Sequence, residues 1–388
     1  MPLQHPLSQI LPHTLLCLLC SVVAVSCLQG IGHAADGLQD ALPAATATHD
    51  EKKKINWYSA KQLTFEGQGF SETKAPYDRL PAKAEKTVRK AVWGLSRHSA
   101  GMCVRFVTNA TTLFARWTLT SPRLEMVHMP ATGVSGLDLY VKTDAGKWHW
   151  VAIGRPSAQK NSVTLVKDML AGTREFMVYL PLYNGVSMVE IGIPDTAEIA
   201  TAAPRKLKPI VFYGTSITHG ACASRTGMCH PAIIGRRFDA PVINLGFSGN
   251  GRMEAEVAKL MAEIDASVYV IDCLPNISAA TVTARIEPLV KILREKHPTT
   301  PIVLVEDRNY ADAFIIPAKK KRNEDSQAAL KVVFDRLKKQ GDKNLYYLEA
   351  EKLLNDDGDG TVDSSHPNDY GFMQHADAFE ELLKPILK

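Results

Sequence analysis

Apolar positions along this chain follow two different rhythms, and the change comes near residue 204. Between residues 57 and 193 they fall in short runs, at 102–107, 113–119, 137–141, 148–153, 175–182 and 188–193. Turn residues separate the runs, as in Asn109-Ala-Thr111, Asp144-Ala-Gly146 and Asn184-Gly185. Asn-Gly between two apolar runs is a strong hairpin signal, because a two-residue type I′ turn needs positive φ at both central positions. Short strands spaced in this way predict a β-sandwich of jelly-roll type over residues 56–200. Residues 82–97 have helical propensity within it.

Beyond residue 204 the apolar runs at 210–213, 242–245, 268–271, 302–305 and 345–348 are strand-length. Amphipathic stretches of helix length lie among and after them, at 255–264, 279–296, 325–340 and 370–387. Strands joined by crossover helices predict a parallel sheet covered on both faces, hence a three-layer α/β domain over 207–388. The Pro- and Lys-bearing stretch at 201–208 is the expected boundary.

The amino terminus differs from both. Residues 13–28 are almost continuous Leu, Val, Ala, Cys and Ser, and Gly32-His-Ala-Ala35 offers a small-residue cleavage site. An apolar core of that length predicts a removable secretory signal at 1–35 and not a membrane span. The usual positive n-region is missing, since no Lys or Arg precedes Lys52. Ala24-Val-Ser-Cys27 is a weak lipoprotein site. Residues 36–55, Ala- and Thr-rich at first, are expected as a linker, and the mature protein as periplasmic or extracellular.

Composition narrows the function classes. Hydrophobic residues at 45% and charged residues at 22% are ordinary for a globular protein of 388 residues. The net charge of +4, from 45 basic and 41 acidic residues, is scattered and argues against a nucleic-acid partner. The one basic run, Lys319-Lys-Lys-Arg322, reads as solvated surface ahead of a helix. Past the signal segment only Cys103, Cys222, Cys229 and Cys273 remain, with no Cys-x-x-Cys pair, so no structural zinc is expected. Cys222 and Cys229 are close enough in sequence to bridge in an oxidising compartment.

Candidate chemistry gathers at the ends of the predicted parallel strands. In Lys208-Pro-Ile-Val-Phe-Tyr-Gly-Thr-Ser-Ile-Thr-His-Gly220, a buried strand runs into Ser216 between two glycines. A hydroxyl so placed suits a nucleophile, although the same residues also fit a plain polar turn with a helix cap. Far downstream, Asp363-Ser-Ser-His366 puts an acid three residues before a histidine on a Gly-rich loop. The acid can hold Nδ1 while Nε2 faces a serine. An EF-hand counted from Asn355 would place His366 where a bidentate Glu is required, so that template fails. Phe247-Ser-Gly249 and Leu274-Pro-Asn276 follow the next two strands. A glycine N–H and an Asn amide are suitable oxyanion donors. The bland roles are a tight turn for Gly249 and a helix N-cap for Asn276, which also lies in a glycosylation sequon.

Together these four blocks resemble those of the SGNH (GDSL-like) hydrolase superfamily: Gly214-Thr-Ser216, Phe247-Ser-Gly249, Leu274-Pro-Asn276 and Asp363-Ser-Ser-His366. Two positions depart from the family pattern, Thr215 for the Asp of the first block and Leu274 for the Gly of the third. Upstream, Arg79-Leu-Pro-Ala, Val92-Trp-Gly-Leu-Ser-Arg-His and Gly133-Val-Ser-Gly-Leu-Asp-Leu-Tyr are similar to the amino-terminal domain of one SGNH subgroup. That subgroup resembles bacterial exported carbohydrate acetylesterases. The resemblance implies a serine esterase acting on a small-molecule or glycan acetyl ester, without a cofactor or metal. Ser216 would attack, His366 would serve as base and then acid, and Asp363 would orient it. The N–H groups of Ser216 and Gly249 and the Asn276 amide would hold the oxyanion. The rivals are an acyltransferase with the same residues, a glycan-binding β domain beside an inert hydrolase, and, weakest, a peptidase.

Overall fold

The computed structural model describes residues 38–387, so the expected signal segment and Cys27 lie outside the described residues. The amino-terminal half is a sandwich of antiparallel strands. In chain order these are β1 (Thr48–Asp50), β2 (Ile55–Ser59), β3 (Thr64–Glu66), β4 (Cys103–Thr108), β5 (Leu113–Leu119) and β6 (Leu137–Lys142). They continue with β7 (Trp148–Gly154), β8 (Lys160–Val166), β9 (Arg174–Tyr179), β10 (Val186–Pro194) and β11 (Ile199–Thr201). One sheet has the order β1-β2-β10-β5-β8; the other runs β11-β4-β9-β6-β7, with β3 also paired to β4. Alternation on β5 turns Leu113, Ala115, Trp117 and Leu119 inward, where they meet Val104, Phe106, Phe176 and Val178 of the facing sheet.

The second sheet does not alternate, and that has a structural reason. On β6 the residues Leu137, Asp138, Leu139 and Tyr140 are all buried, because the outer face packs on the carboxyl-terminal half. Tyr140, Met177 and Tyr179 share a core with Ile217, Cys229, Ala232 and Ile233. Asp138, fully buried, receives Arg225 Nη1 at 2.7 Å and the Gly227 N–H at 2.9 Å.

Two expectations are corrected here. The stretch at 36–55 contributes structure, since β1 pairs with β2 and Ala41 bridges Ala200. An edge strand is held by backbone pairing and needs no apolar period. Asn184-Gly185 makes no hairpin, because β9 and β10 belong to different sheets. The Asn184 amide instead donates to the Ser121 carbonyl at 3.0 Å, pinning the crossover.

The carboxyl-terminal half is a parallel sheet of β12 (Ile210–Gly214), β13 (Val242–Gly246), β14 (Val268–Asp272), β15 (Ile302–Val305) and β16 (Leu345–Leu348), ordered β13-β12-β14-β15-β16. In chain order the helices of the whole molecule are α1 (Lys90–Ser96), α2 (Ala131–Val134), α3 (Ser216–His219), α4 (His230–Arg237), α5 (Ala255–Met261), α6 (Ala279–Lys296), α7 (Pro317–Lys339) and α8 (Asp369–Leu383). The first strands are buried end to end, as strands covered on both faces must be. On α6 the inward residues Val282, Ile286, Leu289, Val290 and Leu293 repeat at helical spacing.

The α7 helix begins eight residues before the expected 325 and takes in Lys319-Lys-Lys-Arg322. Lys320 and Lys321 are exposed there, whereas Arg322 turns inward to Asp307. Buried Asn323 and Ser326 make this first inward face polar, so no apolar period announced it.

Candidate active site

Every candidate catalytic block lies at the carboxyl ends of the parallel strands. Ser216 opens the short α3 helix directly after β12, and Thr215 caps it by accepting the Ile217 N–H at 3.3 Å. The turn demands a glycine before it, because a Cβ on Gly214 would stand 2.0 Å from Thr218 Oγ1. Ser216 Oγ lies 2.8 Å from His366 Nε2. His366 Nδ1 in turn lies 2.8 Å from Asp363 Oδ2. The other carboxylate oxygen of Asp363 accepts the His366 N–H at 2.7 Å and the Ser365 N–H at 3.0 Å. Partial burial pushes the Asp363 carboxyl up, but the main-chain N–H and imidazole of His366 outweigh it. The net effect holds the carboxyl below its ordinary range.

Gly249 follows β13 with φ +67°, and nothing stands within 4 Å of where its Cβ would be. Its neighbour Gly251 donates to Asn276 Oδ1 at 3.2 Å. That bond uses the carbonyl end of the Asn276 amide and leaves Nδ2 as its donor end. Among the described residues neither the Ser216 N–H nor the Gly249 N–H is spent on an intramolecular acceptor. The N-cap of α6 is Ser278, whose hydroxyl accepts the Thr281 N–H, so capping does not account for Asn276. A cavity of about 660 Å³ adjoins this side, lined by Gly249, Asn276, Ser278, Lys321 and Arg322 among others.

Several neighbours of these residues carried no sequence signal. Tyr183, from the crossover between the two sandwich sheets, donates its hydroxyl to the Ser216 carbonyl at 3.3 Å. Its ring stacks on His219 at 4.1 Å between centroids, and His219 Nε2 meets the Leu182 carbonyl at 2.7 Å. His128, on an exposed sandwich loop, has its ring 6.0 Å from that of His366. Under the nucleophile turn, Asp272 accepts the Thr218 hydroxyl at 2.9 Å. Burial pushes its carboxyl up to about 7 against the opposing effects of that hydroxyl and of Arg308.

Cys222 and Cys229 are free and buried, so the bridge their spacing allows is not formed. Burial pushes the Cys222 thiol up to about 12 and that of Cys229 to about 11, leaving both as inert packing groups.

Comparison with known proteins agrees with this layout. The GDSL-like lipase/acylhydrolase family model matches residues 207–384, and the model for the amino terminus of SGNH-hydrolase-type esterases matches 55–199. A protein from Bacteroides ovatus described as a GDSL-like lipase is 34% identical with a TM-score of 0.82, over 86% of this chain and 98% of that one. A salicylyl-acyltransferase from a tetracycline biosynthetic pathway shares the fold at 20% identity and a TM-score of 0.71, with the same coverage of 86% and 98%. A family two carbohydrate esterase from Cellvibrio japonicus shares it at 14% identity and a TM-score of 0.55, again over 86% and 98%. No curated protein sequence matches the chain.

Proposed function

The chain belongs to the GDSL-like lipase/acylhydrolase family, as an SGNH ester hydrolase with an amino-terminal β domain, and we propose that it is an exported serine esterase removing short acyl groups, chiefly acetyl, from a carbohydrate. The observation that carries this reading is the relay from Ser216 through His366 to Asp363, with both contacts at 2.8 Å. Ser216 Oγ attacks the ester carbonyl while His366 Nε2 takes its proton. The carbonyl oxygen becomes an anion that the Ser216 and Gly249 N–H groups and the Asn276 amide hold. Collapse expels the alcohol, which receives its proton from His366 and leaves an acyl-serine. Water, deprotonated by the same imidazole, then releases the acid. Asp363 keeps Nδ1–H in place and stabilises the imidazolium throughout.

The cavity beside Gly249 and Asn276 mixes apolar walls from Pro275, Ile277 and Ala318 with the polar side chains of Ser278, Lys321 and Arg322, and it exceeds what an acetyl group needs. Small residues around the nucleophile (Thr215, Ser248, Gly249, Asn250, Gly251) favour a short acyl group. A carbohydrate esterase with this fold supports the sugar assignment. The fold shared with a salicylyl-acyltransferase keeps one second reading in view, in which a sugar or alcohol replaces water.

A panel of acetylated glycans and aryl esters, assayed with and without an acceptor alcohol, tests both. Free acetate released regardless of acceptor is the expected result. A new ester formed at the expense of acetate would assign the transferase, and no turnover of any acetyl ester would reject the esterase.

A further inference from the structure

Directly after β15 the chain buries two opposite charges in succession. The side chains of Asp307 and Arg308 are 0% and 1% exposed. Asp307 accepts Arg308 Nη1 with one carboxylate oxygen and Arg322 Nη1, at 2.7 Å, with the other. Its main-chain carbonyl accepts Gln327 Nε2 at 2.9 Å, which fixes the backbone under the carboxylate. Each guanidinium then reaches a different catalytic loop. Arg308 Nε donates to the Ser365 carbonyl at 2.8 Å, and its Nη2 donates to the Ser365 hydroxyl. Arg322 Nη2 donates to the Pro275 carbonyl at 2.8 Å. Ser365 precedes His366, and Pro275 precedes Asn276.

We propose that Asp307, with Arg308 and Arg322, is a positioning device that sets the His366 loop and the Asn276 loop in register with each other. The inference rests on the esterase reading above and adds three positioning residues to it. The physical case is that each loop is tied only within itself. The Val362 N–H donates to the His366 carbonyl at 3.0 Å and the Asn276 N–H to the Cys273 carbonyl at 3.1 Å, and those bonds do not relate one loop to the other. Asn276 ends a single 3-10 turn, and the side chain that holds the His366 imidazole within its own loop is the half-exposed Asp363. The oxyanion donor and the base must nevertheless serve one tetrahedral centre, where a 1 Å misplacement costs on the order of 10²-fold in rate. A carboxylate with both oxygens engaged by planar guanidinium groups fixes direction as well as distance. Burial keeps water from competing for those bonds.

Arg322 is the residue to change first, because its side chain is 34% exposed and its loss leaves the core packed. The kcat for 4-nitrophenyl acetate is measured for Arg322→Gln in the wild-type chain and again in an Asn276→Ala chain. If Arg322 acts through the Asn276 loop, the substitution lowers kcat by roughly 10- to 100-fold alone, with KM within about 3-fold. In the Asn276→Ala background it then costs less than about 3-fold, because the group it positions is gone. Asp307→Asn, which releases both loops, is expected to lower kcat further than Arg322→Gln. An equal fold-loss in the two backgrounds would overturn the proposal, as would an unchanged kcat accompanied by a lower Tm. Should Asn276→Ala itself keep its kcat while Ser216→Ala is inactive, the oxyanion assignment falls and this inference with it. The esterase reading would survive that result.

Discussion

Asn276 and Ser278 stand two residues apart and are expected to fail in different ways. Asn276→Ala removes a proposed oxyanion donor and should lower kcat by roughly 10²–10³ at similar KM and Tm. Ser278→Ala removes the α6 cap and should cost about 1 kcal/mol of stability with kcat unchanged, read by thermal melting beside the ester assay. Asp363→Asn keeps the shape but puts the wrong tautomer on His366, so kcat should fall by about 10²–10⁴. Asp272 offers a test by pH. Its buried carboxyl titrates near 7, above the ordinary value of about 3.9, so folding favours its protonated form. The cost of burying the charge is absent below about pH 4, grows as pH rises, and is complete above about 7. Asp272→Asn should therefore raise Tm more at pH 8 than at pH 5, and an equal shift at both would contradict that origin. The four blocks stood out in the sequence because three of them follow buried strands within a few residues and the fourth, Asp363 to His366, follows a Gly-rich stretch. Tyr183, Asp307 and Arg308 were not, since a tyrosine beside Asn-Gly or a charge after a strand is ordinary until folding brings it to the site.

Elements with a strong apolar period were legible, and α6 occupies the expected residues 279–296. The start of α7 was not, because Arg322, Asn323 and Ser326 point inward on it and break the period. The α4 helix also escaped notice: His230 to Gly235 are all buried, leaving little polar face to set off an apolar one. Between elements, one side chain ties the segment before α1 to β13. Arg79, 1% exposed, donates to the carbonyls of Asn244 at 2.9 Å and Gly246 at 2.8 Å, and to those of Leu95 and His98. Arg79→Met should cost about 3 kcal/mol or more, since it strands several buried acceptors at once. Urea unfolding measures that loss.

The sandwich and the catalytic half form one packed body over the described residues 38–387, which changes what truncation can be expected to show. A chain restricted to 206–388 would uncover Ile217, Cys229, Ala232 and Ile233 and remove Tyr183 from Ser216. It should lose solubility and activity on every ester alike, whereas retained activity on an aryl acetate would show the sandwich to be dispensable. A linker as short as 194–207 limits how far the two halves could part, by chain length alone. The docked face did not show in the sequence, because a sheet buried on both sides loses the alternation that would have marked it. The central claim, that Ser216 carries the chemistry, rests on the geometry of the assembled molecule and is tested most directly on the intact chain. The measurement is steady-state hydrolysis of 4-nitrophenyl acetate by Ser216→Ala at wild-type Tm. A fall in kcat of at least about 10³ is predicted, and a rate close to that of the wild type would contradict the account.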